Sequence, residues 1–344
     1  YGWILKKALT LIVGQAGIGK TMLMHMLAWS LCTGIKILGK EILERGNVLI
    51  LCPEETINEI RIRLKAMCQF VGKDDGKFKI FIRGLEDAIK LVKFGLTDAT
   101  PTKDYIRLKK ALINLDIKYI ILDPLISFQT GNYDENSNQK MEQYIKNYLI
   151  PIAVEIDGAV IAGHHTNKLS MVSIVDKELL VDHQNAMFSA RGASSLIAAA
   201  RFVLGMQPMT RKLWEGHFID HITDGTTFIH YAGLIEAKSN YNVVEDDICW
   251  LRKNSVDIET TNGREKTGVF SITDLNKITK AKNKLKAAKN EEYARAHIPL
   301  IKKLMDEKGK DIITLHSAVM EILPDDPRIA DESINEKSII SSIR

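Results

Sequence analysis

The sequence predicts an α/β protein built on a largely parallel central sheet. Two observations carry this expectation. Four short runs, LTLIVG (9–14), NVLILC (47–52), KYIILD (118–123) and AVIAGH (159–164), are apolar at nearly every position, and longer stretches with helical spacing, such as TMLMHMLAWSLC and KMEQYIKNYLIPIAVEI, separate them. Continuous apolar runs suit strands buried on both faces, and alternation of such strands with helices is the pattern of a parallel sheet.

After about residue 200 the runs RFVLGM, TTFIHYAGLIEAK, DICWLR and GVFSI follow one another with polar turns between them. They are expected to extend the sheet as antiparallel strands and hairpins. The segment 277–289 carries six lysines and no acid, which suits an exposed helix or linker, open to a nucleic-acid contact or simply solvated. The expected organisation is a core over 1–275, this Lys-rich segment over 276–292, and a small helical region, of possible helix-turn-helix type, over 293–344.

Composition narrows the class. At 344 residues the chain can bury a substantial core, and no run of about 18 apolar residues or signal-like opening argues for a membrane span or secretion. Cys32, Cys52, Cys68 and Cys249 have neither CxxC spacing nor the density of a disulfide framework, so free thiols in a reducing cytoplasm are expected. Because 47 Lys and Arg face 43 Asp and Glu, the net charge of +4 tolerates nucleic acid without requiring it. The first residue is Tyr1 rather than Met, which leads us to expect a fragment or processed chain.

The strongest local signal is GQAGIGKT, Gly14 to Thr21, which fits G-x-x-x-x-G-K-[ST] in full and lies between a strand-like run and a helical one. In such a loop the backbone amides of Gly14, Gln15, Ala16, Gly17, Ile18 and Gly19 approach phosphate oxygens, and the following helix adds its positive end. Lys20 supplies a point charge to the phosphates and the Thr21 hydroxyl ligates Mg²⁺. ATP and Mg²⁺ are therefore the expected cofactors. Asp123, at the tip of KYIILD, is placed to share the metal with Thr21, the Walker B role. In LCPEET, Glu54 is the candidate base that deprotonates water, and Glu55 or Thr56 the candidate for the cap of the next helix.

The stretch GHHT, Gly163 to Thr166, closes the fourth run with two adjacent histidines. They could be metal ligands, a packed pair, or a sensor of phosphate at a strand tip. A zinc site would need further donors, and the nearest, Asp176, Glu178, Asp182 and His183, lack ligand spacing. A neutral imidazole at a strand tip can hydrogen-bond phosphate or water. The tips of all four runs would gather at one pocket, since open α/β sheets bind ligands at the carboxyl ends of their strands.

Taken in order, GQAGIGKT, GNVLILCPEETINEIRIRL, YIILDPLISF with DENSNQKM, GHHTNK, ARGASSLIAAAR and EAKSNYN resemble the RecA-like hexameric replicative helicase ATPases, most nearly the plasmid-encoded RepA helicases and their phage and plasmid relatives. The resemblance spans roughly residues 9–254. It implies a RecA-like P-loop core, with Glu54 as catalytic base, Asp123 beside the metal and His165 contacting the γ-phosphate and attacking water, His164 supporting it. It also implies that Arg191 and Lys238 are basic fingers reaching ATP on a neighbouring subunit. Asn240 stands where the DnaB branch has a second basic residue, and Arg63 and Arg201 match further recurrent arginines. The same resemblance implies single-stranded DNA gripped by loops 127–140 and 167–190, with Lys140, Lys168 and Lys177 as phosphate contacts, and a homohexameric ring. An ATP-gated loader or switch, or a recombinase-like filament ATPase, would use the same hydrolytic motifs.

Overall fold

The structure, a computed structural model, describes residues 3–72, 75–96, 98–132, 137–165, 194–211, 214, 227–240, 248–261 and 263–273. All belong to one compact unit, Tyr1–Trp214 with Asp224–Thr273. The expected Lys-rich segment and helical region lie outside the described residues.

Each apolar run is a strand. The phosphate-loop run is β1 (Ala8–Gly14), followed by α1 (Lys20–Thr33), β2 (Asn47–Leu51), α2 (Ile57–Val71) and β3 (Ile80–Arg83). Three short strands, β4 (Val92–Phe94), β5 (Ala99–Pro101) and β7 (Gln129–Gly131), form a separate small sheet, and α3 (Lys103–Asn114) and β6 (Ile117–Leu122) lie between β5 and β7 in the chain. The segment predicted as one helix is α4 (Asn138–Tyr144) and α5 (Ile150–Glu155), joined through a π-helical turn at Ile145–Leu149. Pro151, which has no N–H to give an i−4 carbonyl, stands just beyond that turn. β8 (Ala159–His165), α6 (Ser194–Ala199), β9 (Phe202–Pro208), β10 (Tyr231–Ser239), β11 (Cys249–Thr260) and β12 (Gly263–Thr273) complete the described chain.

The main sheet has nine strands in the order β12-β11-β10-β9-β1-β8-β6-β2-β3. β9, β1, β8, β6, β2 and β3 run parallel, and β10, β11 and β12 continue antiparallel. This is the expected α/β arrangement of a largely parallel sheet extended by antiparallel strands, with β8 between the phosphate-loop strand and the strand that ends at Asp123. One expectation changes: RFVLGM is not an antiparallel addition but the parallel neighbour of β1, Thr10 opposite Phe202 and Gly14 opposite Met206. An apolar run reports burial, not the direction of its partner.

Two-sided burial explains the unbroken runs. Leu9, Leu11, Val13, Leu49, Leu51, Ile120, Leu122, Val160 and Ala162 pack on one face against Tyr105, Leu108, Met141, Tyr144, Ile152 and Leu196. The alternate residues Ile12, Val48, Ile50, Ile121, Ala159 and Ile161 pack on the other against Leu23, Leu27, Ile60 and Met67. Because side chains alternate along a strand, a sheet covered on both faces needs apolar residues at consecutive positions.

A candidate nucleotide site at the strand tips

The parallel strands end on one edge, and the candidate residues leave from those ends. Gly14 closes β1 and starts the phosphate loop. A Cβ at Gly14 would lie 2.9 Å from the Met206 carbonyl oxygen. Gly17 and Gly19 have φ of 76° and 113°, a left-handed backbone that glycine alone adopts freely. Gly19 is the N-cap of α1 and no side chain caps the helix, so its first amides face the loop. A Cβ at Gly19 would come within 2.6 Å of the Phe270 ring, so β12 covers the loop from outside.

Lys20 is buried, and its ammonium donates to the carbonyls of Gly14 and Gln15, both at 2.9 Å, and to His165 Nδ1 at 3.2 Å. An ammonium has no lone pair, so His165 Nδ1 accepts and the imidazole proton sits on Nε2. Burial lowers the Lys20 pKa, opposed by the charges of Asp123 and Glu54. His165 stands directly opposite Gly14 across the β1–β8 ladder, and His164, one step back, is buried.

Asp123 is 4% exposed. Burial pushes its carboxyl up to about 6, although a hydrogen bond with the Thr21 side chain and the charge of Lys20 pull the other way. Its Oδ2 is buried with no hydrogen-bond partner. An orphaned buried carboxylate oxygen beside a threonine hydroxyl and a bare helix N-terminus fits Mg²⁺, an oxygen-seeking cation. Gly163 makes room for it, since a Cβ there would lie 2.7 Å from Asp123 Oδ1 and from Met24 Cε.

Glu54 is exposed at the end of β2, where Ser127, in the turn after Asp123, donates to its carboxylate at 3.2 Å. Glu55 does not cap the next helix. Thr56 is the N-cap of α2, in a reciprocal capping box with Glu59. Glu55 instead accepts both arms of Arg63, at 2.5 and 3.1 Å, with burial raising its pKa against that guanidinium.

Lys20, Thr21, Glu54, Asp123 and His165 are thus brought to one edge. Lys238 is not: it pairs with Val203 near the start of β9, whereas the loop leaves β1 beside Met206, so Lys238 stands toward the opposite edge of the sheet. Its ammonium donates to the carbonyls of Ile197, Ala198 and Ala200 at the end of α6. Arg191, Lys168 and Lys177 lie outside the described residues. Of the expected DNA loops, 127–131 is ordered as a 3₁₀ turn and β7, and Lys140 donates to the Asn132 carbonyl. Arg201 and Asn240 join the strand ends by backbone bonds, Arg201 N–H to Leu9 and Asn240 N–H to Arg201. Sequence reading missed Ser127, Gly163 and Phe270. Gly163, a glycine inside a buried run, carried a signal; Ser127 and Phe270 carried none.

The family described as AAA domain matches residues 1–171, a span that holds the phosphate loop, Glu54, Asp123 and His165. Among curated proteins no sequence matches. Among solved structures the chain is similar to one whose title describes an ATPase domain, at 16% identity over 72% of this chain and 82% of that one, with a TM-score of 0.43. Among the described residues no helix is long and apolar enough to cross a membrane.

Proposed function

We propose that the P-loop ATPase carried by this chain is the motor of a ring-forming, Mg²⁺- and ATP-dependent DNA helicase of replicative type, similar in kind to the RepA helicases of plasmids and phages. The observation that carries the ATPase half of this reading is the Lys20–His165 contact beside the Thr21–Asp123 pair, which joins the ends of β1, β6 and β8. The helicase half rests on the ordered motifs from GQAGIGKT to EAKSNYN.

Lys20 exchanges carbonyl acceptors for phosphate oxygens and neutralises their charge. Thr21 and Asp123 would hold Mg²⁺, which when bound supplies charge neutralisation on the phosphates. Glu54, steadied by Ser127, takes the proton of the water that attacks the γ-phosphorus as the bond to the β-phosphate oxygen breaks. His165 exchanges Lys20 for the γ-phosphate and relays its presence into β8. Arg191 and Lys238 serve the neighbouring subunit, and single-stranded DNA occupies the central channel.

The test is unwinding of a forked DNA duplex with and without ATP, combined with particle imaging. ATP-dependent strand separation by six-membered rings is expected. Hydrolysis without unwinding would favour a loader or switch, and filaments on DNA a recombinase-like ATPase.

A further inference from the structure

His25, Cys52 and Glu55 form a cluster that the phosphate-handling residues do not use. His25 lies on α1, Cys52 follows β2, and Glu55 sits three residues further on in a turn closed by its own N–H to the Cys52 carbonyl at 3.2 Å. One donor atom from each, an imidazole nitrogen, the thiol sulfur and a carboxylate oxygen, all lie within 4.8 Å of one another. His25 is 0% exposed, and neither of its ring nitrogens has a hydrogen-bond partner. Buried polar atoms normally find partners, so an imidazole with both nitrogens orphaned and facing a thiol and a carboxylate needs an explanation.

We infer that His25, Cys52 and Glu55 are the protein ligands of a transition-metal site, of Zn²⁺ type, that ties α1 to the end of β2. The donor set selects the metal: a thiolate and an imidazole suit Zn²⁺, whereas Mg²⁺ takes oxygen ligands. Three protein donors leave a fourth position for water. A tetrahedral zinc ion with Zn–S of about 2.3 Å and Zn–N of about 2.0 Å holds its ligand atoms about 3.5 Å apart, so the cluster closes by side-chain shifts of about 1 Å. Neither ring nitrogen of His25 is engaged by a hydrogen bond, so a lone pair is open to the metal. Arg63 donates to both oxygens of Glu55 as an orienting partner, and each carboxylate oxygen keeps a second lone pair. On binding, Cys52 gives up its proton to solvent and the sulfur electron pair goes to the metal. The inference does not depend on the helicase reading.

The experiment uses the full chain, stripped with chelator, free of nucleotide and in excess Mg²⁺. Co²⁺ is titrated as a spectroscopic probe, then Zn²⁺ as competitor. We expect one equivalent of Co²⁺ to give a thiolate-to-cobalt absorption band that Zn²⁺ displaces and excess Mg²⁺ does not. Cys52→Ser should abolish the band, and His25→Gln and Glu55→Gln should each weaken binding by about 100-fold or more, with unchanged circular dichroism as the check on folding. No band in the wild-type chain would overturn the site without any variant. A band that survives Cys52→Ser would overturn it in favour of another thiol. Wild-type affinity in both folded His25 and Glu55 variants would reduce the cluster to a packed histidine beside an Arg63–Glu55 ion pair.

Discussion

At the scale of single residues, the site opposes burial to charge. Asp123 is held at about 6 rather than 3.8, chiefly by desolvation. The folded protein therefore binds this proton more tightly than the unfolded chain. The group favours the fold below about 3.8, and that contribution is lost as pH rises through about 6. Above it the ionised carboxylate costs at most about 3 kcal/mol. Asp123→Asn should accordingly raise the Tm of the nucleotide-free protein at pH 8, with an advantage that shrinks toward pH 5, while abolishing stabilisation by Mg²⁺ and ATP. A melting difference independent of pH would remove the burial argument. Glu54 makes a different case, exposed and held by one hydrogen bond from Ser127. Glu54→Gln should slow ATP turnover by about 10² to 10⁴ and leave nucleotide affinity within a few-fold of wild type. Unchanged turnover would remove Glu54 from the chemistry.

Elements supply the spacing between these residues. Placing β8 between β1 and β6 sets His165 beside the phosphate loop and Gly163 beside Asp123. The bulge in β10 between Glu236 and Lys238 inserts Ala237 and breaks the strand's alternation. Bulges re-aim side chains, and this one precedes the lysine that meets the carbonyl end of α6. Those last carbonyls have no partners inside their own helix, so Lys238 acts as its cap. Lys238→Met should lower unfolding stability by about 1 to 3 kcal/mol, read from denaturant melts of the isolated subunit. An unchanged midpoint would mean that the cap is idle in solution and Lys238 is free to act elsewhere.

On the scale of the whole molecule, Lys238 and the phosphate loop stand toward opposite edges of one sheet. A basic residue so placed does not reach its own phosphates. If it reaches phosphates at all, they belong to another copy, through a head-to-tail contact that closes a ring or continues as a filament. The matching expectation for Arg191 is complementation. Arg191→Ala and Lys20→Ala, each inactive alone, should recover part of the ATPase rate when mixed, measured across the mixing ratio. No recovery at any ratio would place Arg191 outside catalysis on a neighbour.

The sequence alone was enough for the α/β class, the phosphate loop and the strand tips at Asp123 and His165, because those features are local: glycine conformations, the double-sided burial of consecutive residues, and a charge at a fixed offset from a run. It also marked Glu54, but not what holds it. Tertiary structure decided everything that depends on which strands are neighbours. It made β9 parallel, sent Glu55 to Arg63 while Thr56 capped α2, brought Ser127 to Glu54 and Phe270 over Gly19, and set Lys238 on α6. These are contacts between residues far apart in the chain, and hydrophobic periodicity reports whether a side chain is buried, not what it is buried against.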